Sequence, residues 1–439
     1  MTQLFPPPPI KPFERQQVHD GLLMNAERWR RAHTYHKERQ NVHYQSLNQP
    51  GIVCGLGVLL IPAPTEVAAQ YRDGRWLQIQ PGIAIDLLGN PIVVPAPIEF
   101  RITSENLTEG SLTVYLVVSY VDPEKLSFKQ PREIVQETFR IDEKPSPPSE
   151  LEVELCRILL APGAGQAQEL TLENPTDVFF PGYNTLDLRY RSQARSRPQA
   201  VVRVAQVNHG EEKEKQESLS NLSYLLQSVA SLYPALQGDT EVGQLTLQHG
   251  RVGVTLQDAS KGSGYDLLYL TGRQSFGPND RQLEALKNYL DAGGVLLVEA
   301  PTGDTALADS IKSIAQTLGT PLLDWRNLSR NHPLRTQPFL FAALPSFNQQ
   351  PIHLLYGGGI VLVLGDLCAA WGLDEQLSLS RENIRTAQEL GINILHFAWR
   401  RRQLTQLSRQ DSPTPTPKKQ ETKERSKSAK KAVFDKLDF

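Results

Sequence analysis

Three histidines share one side of a candidate helix. Between Leu22 and Gln49 the chain has no glycine or proline, and Trp29, His33, His36, Gln40, His43 and Leu47 recur at alternating spacings of four and three. On an α-helix that spacing aligns the side chains on one face. Imidazoles so placed can ligate zinc, but a closed tetrahedral site needs a fourth ligand. No cysteine or carboxylate stands at a matching offset on this face, so the histidines are read as hydrogen-bonding or packing groups against a neighbouring sheet or subunit.

The second candidate chemistry is nucleophilic. Cys368 follows an apolar run, VLVLGDLCAAW, and His396 comes later inside what reads as a strand, with no acid at His-x-Glu spacing. A cysteine nucleophile needs a base to take its proton and a third group to orient that base. A Gly-x-nucleophile-x-Gly elbow is also missing, since Val295–Glu299 is followed by Ala300-Pro301-Thr302-Gly303-Asp304. Cys368 is therefore read as a buried thiol. His332, between Asn331 and Pro333, is a loop histidine held beside a proline; a capping or fold-closing role is preferred to a site role. Gly163-Ala164-Gly165 lacks the further glycine and Lys-Ser/Thr of a phosphate loop. No catalytic, cofactor-binding or metal-ligating residue is assigned, and no cofactor is expected.

The totals set the frame. The 439 residues, 39 % of them hydrophobic, provide for two or three domains with real cores. A net charge of −2 offers no general attraction to nucleic acid or anionic lipid. Cys54, Cys156 and Cys368 are far apart with no CxxC, as free thiols in a reducing compartment would be. No segment approaches the ~20 apolar residues of a spanning helix, and no secretory leader pattern opens the chain. A cytoplasmic protein is expected.

The elements follow in order. Residues 1–17 form a Pro-rich arm. A helix capped by Asp20 ends at Pro50-Gly51, where proline disfavours helix in the residue before it. Apolar runs at Ile52–Ile61, Leu77–Ile79, Ile83–Leu87, Ile92–Val94, Leu112–Val121 and Leu151–Leu160 then alternate with turn residues, a β pattern. Helix and strands make a module over 18–160. Residues 161–199 read as a linker with a basic patch, Arg189, Arg191, Arg195 and Arg197.

From 200 to 402 strands and helices alternate, predicting an α/β domain with a mostly parallel sheet. Strands are expected at Val201–Val207, Val252–Leu256, Asp266–Leu270, Val295–Glu299, His353–Tyr356, Ile360–Gly365 and Ile392–Phe397. Helices are expected at Leu219–Tyr233, Pro278–Ala292, Asp304–Leu318 and Arg381–Leu390. Leu219, Leu222, Leu226, Val229 and Tyr233 form a seam that packs on its own sheet. Residues 403–439 form a disordered basic tail with nine cations against five acids, about +4. Its closing motif Val433, Phe434, Leu437 and Phe439 is suited to docking on a partner or an anionic membrane surface. The fold class is thus multidomain α+β: a helix with a small β domain, then a flavodoxin-like α/β domain, then the tail.

Two resemblances follow from these motifs. Asp20-Gly21, the helix with His36, Arg39 and His43, the strand Gly51–Val58 and the run Pro81–Pro95 occur in an order that resembles baseplate-associated proteins of phage-tail-like contractile injection systems. The resemblance covers about a fifth to a quarter of the chain. It implies a structural role, other baseplate subunits as partners, several copies per assembly, and no catalytic residues. Tyr265–Gly272, Leu283–Leu297, Asn331-His332-Pro333 and Gly391-Ile392-Asn393 resemble an uncharacterised domain family with a class I glutamine-amidotransferase-like fold. The expected function is a non-enzymatic structural or adaptor component with no nucleic-acid partner. The alternatives are a hydrolase or amidotransferase-like enzyme using Cys368 or His332, and a small-molecule sensor built on residues 200–402.

Overall fold

The computed structural model describes residues 12–105, 110–123, 134–162, 170–209, 212–239, 241–246, 264–301, 303, 305–347, 350–372 and 378–410. The chain divides into two compact units, Met1–Arg197 and Pro198–Phe439.

The first unit opens with helix α1 (Ala26–Leu47). The expected cap at Asp20 is displaced: a turn closes from Leu22 N–H to the His19 carbonyl, and Asn25 caps instead by accepting from the Arg28 N–H at 2.9 Å. Ten strands follow: β1 (Gly51–Gly55), β2 (Val58–Leu60), β3 (Trp76–Ile79), β4 (Gly82–Ile85), β5 (Pro91–Val94), β6 (Ile98–Arg101), β7 (Leu112–Val121), β8 (Thr138–Lys144), β9 (Glu152–Leu160) and β10 (Leu186–Asp187). They pair antiparallel as β1-β4-β5, β2-β3-β6 and β10-β9-β7-β8.

Alternation decides which side chains enter the core. In β3, Leu77 and Ile79 point in while Trp76 and Gln78 are half-buried. In β9 the alternation changes phase at a bulge opposite Leu116 and Val117, which turns both Leu155 and Cys156 inward. Cys156 is a buried core thiol, as its place in an apolar strand suggests.

Residues 161–199 are not a linker along their described part. Leu170, Leu172 and Leu186 are buried in the core of the first unit, and β10 pairs with β9. The segment makes its backbone bonds singly, as in Asn184 N–H to the Leu159 carbonyl at 2.8 Å, so it lacks the periodicity that marks long strands. Gly163-Ala164-Gly165 lies outside the described residues, as does most of the Pro-rich arm.

The second unit contains β11 (Ala200–Val202), β12 (Val204–Asn208), β13 (Leu236–Gly238), β14 (Gly243–Thr246), β15 (Leu267–Thr271), β16 (Val295–Ala300), β17 (Leu323–Asp324), β18 (Ser346–Phe347), β19 (Gln350–Pro351), β20 (His353–Gly357) and β21 (Ile360–Leu364). Its helices are α2 (Glu212–Leu232), α3 (Asp280–Asp291), α4 (Ala306–Thr317), α5 (Pro333–Thr336) and α6 (Arg381–Gln410). Seven strands form one sheet in the order β14-β12-β15-β16-β21-β20-β17, and the first five run parallel. Apolar side chains of α2 and α6 pack on one face and those of α3 and α4 on the other. All six residues of β16 are buried, as expected of a parallel strand covered on both sides. The mixed α+β class with a mostly parallel sheet is what the alternation of elements predicts.

The α2 seam packs on its own core through Leu222, Leu226 and Val229. After α3, Gly293 takes φ +93° and its N–H bonds the Leu290 carbonyl, returning the chain into β16. One expected element is different. Ile392–Phe397 is not a strand; it continues from Arg381 in the single long helix α6, in which Gly391 faces Leu225 and Trp371. An apolar run buried on all sides has no helical period to read. The helix also extends to Gln410, so residues 403–410 are not tail. The rest of the tail and Val252–Leu256 lie outside the described residues. Among the described residues no helix is long and apolar enough to cross a membrane.

Candidate functional site

The residues singled out in the first unit serve its framework. Gly55 sits at φ +66° where a Cβ would overlap the Pro81 carbonyl, so the strand motif requires glycine for the close approach of β1 to the Pro81-Gly82 turn. In the Asp86–Asn90 turn, Asp86 accepts from the backbone N–H and the side-chain amide of Asn90, both at 2.8 Å. Burial nevertheless pushes the Asp86 carboxyl above the ordinary carboxylate range. Gly89 lies against the Asn41 carbonyl of α1, and the amides of Asn41 and Asn90 meet at 2.8 Å. The motif from Gly82 to Val94 is thus the seat on which the second half of α1 rests.

The basic patch is also structural. Arg191 donates to the carbonyls of Gly55 (3.2 Å), Leu56 (2.6 Å) and Leu155 (3.2 Å), joining β1 to β9. Arg197 donates to the Gln45 carbonyl at 2.8 Å, and the Arg195 carbonyl accepts from Gln49 N–H at 2.7 Å. Arg189 pairs with Asp187 and donates to the Phe179 carbonyl, fixing a loop whose Phe179 and Phe180 rings are exposed.

Helix α1 is anchored by Lys37, which pairs with Asp122 at 3.2 Å and lies over the Tyr120 ring, together with Asn41 and Gln45. The face from Trp29 through His33, His36, Gln40 and His43 to Leu47 is roughly opposite, and every one of its residues is exposed. Of the two packings expected for this face, on a neighbouring sheet or on a subunit, the sheet is not found among the described residues. Each imidazole meets a ring neighbour on α1: His33 meets Trp29 at 5.5 Å, His36 meets Tyr35 at 5.3 Å and His43 meets Tyr44 at 5.9 Å. No group of three His, Cys, Asp or Glu suited to a metal ion occurs among the described residues.

In the second unit the structure gives Cys368 an acid but no imidazole. The backbone N–H of Cys368 donates to Glu299 Oε1 at 2.9 Å, and the Tyr269 hydroxyl donates to Glu299 Oε2 at 3.0 Å. Cys368 Sγ points to the Ser218 carbonyl at 3.7 Å, and Ser218 bonds Gln206 at 2.7 Å. Burial pushes the Glu299 carboxyl up to about 7, and burial with the nearby Glu299 charge pushes the Cys368 thiol well above its ordinary value. A buried thiol that resists ionisation is a poor nucleophile. His396 turns instead to the rings of Tyr233 (5.8 Å) and Trp399 (5.6 Å).

His332 caps the short helix α5, its Nδ1 accepting from the Leu334 N–H at 3.3 Å, with its ring against Tyr356 and Phe397. Burial, with Arg335 nearby, lowers its pKa. This is the capping arrangement its loop position suggests. Glu299 was the missed residue: a lone acid ending the apolar run VLLVEA is a legible signal of a buried, hydrogen-bonded charge. It sits toward the C-terminal end of β16, on the side where ligands bind in open α/β sheets, and is bonded there by the Tyr269 hydroxyl and the Cys368 N–H.

A family model described as a domain of unknown function, DUF4159, matches residues 203–399. No curated protein matches the chain. Among solved structures, the crystal structure of TssK is similar at 11% identity and TM-score 0.24, over 50% of this chain and 48% of that one. The chain thus spans about half the length of that protein. A structure titled mmIFT52 N-terminal domain is similar at 18% identity and TM-score 0.25, over 44% of this chain and 96% of that one. Neither structural likeness is close enough to carry a functional argument.

Proposed function

We propose that the chain is a non-enzymatic structural or adaptor subunit of a contractile injection system, docking on the baseplate through its first unit and presenting the α/β unit as an interaction domain. The observation that carries this reading is the use of the resembling motif: Asp86, Gly89 and Asn90 build the seat for α1, while Gly55 lets β1 approach the Pro81 turn. The second unit is consistent with it: Glu299 accepts from the backbone N–H of Cys368, the thiol itself points to the Ser218 carbonyl and is kept protonated by burial, and His332 is a helix cap. Other baseplate subunits are the proposed partners, in several copies per assembly. The lysine-rich tail would supply a peripheral contact to a protein or membrane surface from the cytoplasmic side.

The test is co-sedimentation of the full-length chain with sheath-and-tube particles from a cell that encodes it. The expected result is a particle-bound chain that stays bound in the Cys368→Ala and His332→Ala variants. A chain found wholly in the free pool would sink the reading, and an activity abolished by either substitution would replace it with the enzyme alternative.

A further inference from the structure

Helix α1 has no buried residue in 22 positions. Its outward stripe ends in two large apolar groups, Trp29 at 59% and Leu47 at 54% exposure, with imidazoles between them. The charge on the helix is also unusual. Five cations stand against Glu27 and Glu38, and only Arg28 lies in the first turn, where the helix dipole disfavours positive charge. Glu27 offsets Arg31 at 2.8 Å and Asp122 offsets Lys37 at 3.2 Å. Arg30 and Arg39 flank the stripe with no carboxylate at ion-pair distance among the described residues; Arg39 has only the Tyr35 hydroxyl and ring. Two exposed cations on either side of an exposed apolar stripe, with no acid paired to them among the described residues, make a surface complementary to acidic groups.

We infer that the outward stripe of α1 is the binding edge for an acidic, amphipathic surface of a different subunit. Apolar side chains of the partner cover Trp29 and Leu47, while its carboxylates meet Arg30, Arg39 and the imidazoles between. A second copy is a poor occupant, because a two-fold contact of this stripe with itself sets like charges together. Nucleic acid calls for a row of cations along its phosphates, and the stripe offers two arginines at its flanks. The inference deepens the docking role proposed above and rests on it.

The test places a photo-crosslinking amino acid at His36 of the full-length chain in its own cell, with a control at the exposed Leu340 of the second unit. The expected result is a covalent adduct from position 36, absent from 340, whose cross-linked partner segment is net negative. Arg30→Glu with Arg39→Glu should cut the adduct at least tenfold, and lysines replacing the acids of the captured segment should restore it. Arg30→Gln with Arg39→Gln, a milder pair, should give an intermediate loss and guards against misfolding. No adduct, an adduct with a second copy or with nucleic acid, or indifference to both arginine pairs overturns the inference. Whether the adduct sediments with sheath and tube is a separate readout. An acidic partner away from such particles overturns the baseplate reading and leaves the binding edge standing.

Discussion

Each of the two units relies on an arginine that gathers backbone carbonyls, and the surroundings of each explain how differently the units are built. Arg191 holds the carbonyls of Gly55, Leu56 and Leu155, so it ties short antiparallel strands across a seam. Arg401, in the second half of α6, donates to the carbonyls of Leu290 (2.8 Å), Gly294 (2.5 Å) and Gly358 (3.2 Å), so it closes the loops that enter β16 and β21. The first unit has small sheets and depends on glycine contacts and single polar bonds. The second has one broad sheet with apolar helices on both faces, and its polar groups serve the margins and one buried acid. Where the core is shallow, motif residues are structural joints; where it is deep, the informative residue is the charge that breaks the apolar run.

The largest effect should come from breaking a joint of the first unit. Gly55→Val places a branched side chain at positive φ against the Pro81 carbonyl, and should cost about 3 kcal/mol or more in chemical denaturation. A loss under about 1 kcal/mol would mean that β1 can move away from the Pro81 turn.

The two arginines come next. Removing a charged donor that serves buried carbonyls should cost about 2 kcal/mol in either Arg191→Ala or Arg401→Ala. Lysine should restore little, because a single ammonium cannot reproduce the planar fork. Rescue by Arg401→Lys but not by Arg191→Lys would show that the two clamps differ in kind, and urea titrations of the four variants settle it.

The subtlest expectation concerns Glu299. Its carboxyl is pushed up to about 7 in the folded chain, above the ~4.3 of a free glutamate. The folded state therefore binds the proton more tightly, and its stability falls as pH rises from about 4.3 through 7. Glu299→Gln keeps an acceptor for the Cys368 N–H without the charge, so it should flatten this slope. It should raise stability at pH 8 by up to about 3 kcal/mol and change it little at pH 4. Thermal melts at the two pH values that shift equally would refute the buried-acid account.

Legibility differed in the same way. Strands β3 and β5 were readable because half-burial imposes a period of two, and β7 and β9 as long apolar runs, with Leu112–Val121 matching its observed limits. The segment carrying Leu170, Leu172 and Leu186 read as a linker because it enters the core through isolated bonds. Ile392–Phe397 read as a strand because burial on all sides erased the helical period. The buried site was half visible: Cys368 and His332 were recognised and rightly read as a buried thiol and a cap, while Glu299, its partner Tyr269 and the Ser218–Gln206 pair emerged only through long-range contacts.

By itself the sequence determined most of the long strands and helices, the α+β class and the face on which Trp29, His33, His36, Gln40, His43 and Leu47 align, because local periodicity and turn residues act over a few positions. Which way that face points was decided by tertiary structure. Lys37, Asn41 and Gln45 meet Asp122, Asn90 and Arg197, residues 49 to 152 positions away, and seating them turns the histidine stripe outward. Periodicity defines a face; only the distant residues that cover the opposite one assign it to the core or to solvent.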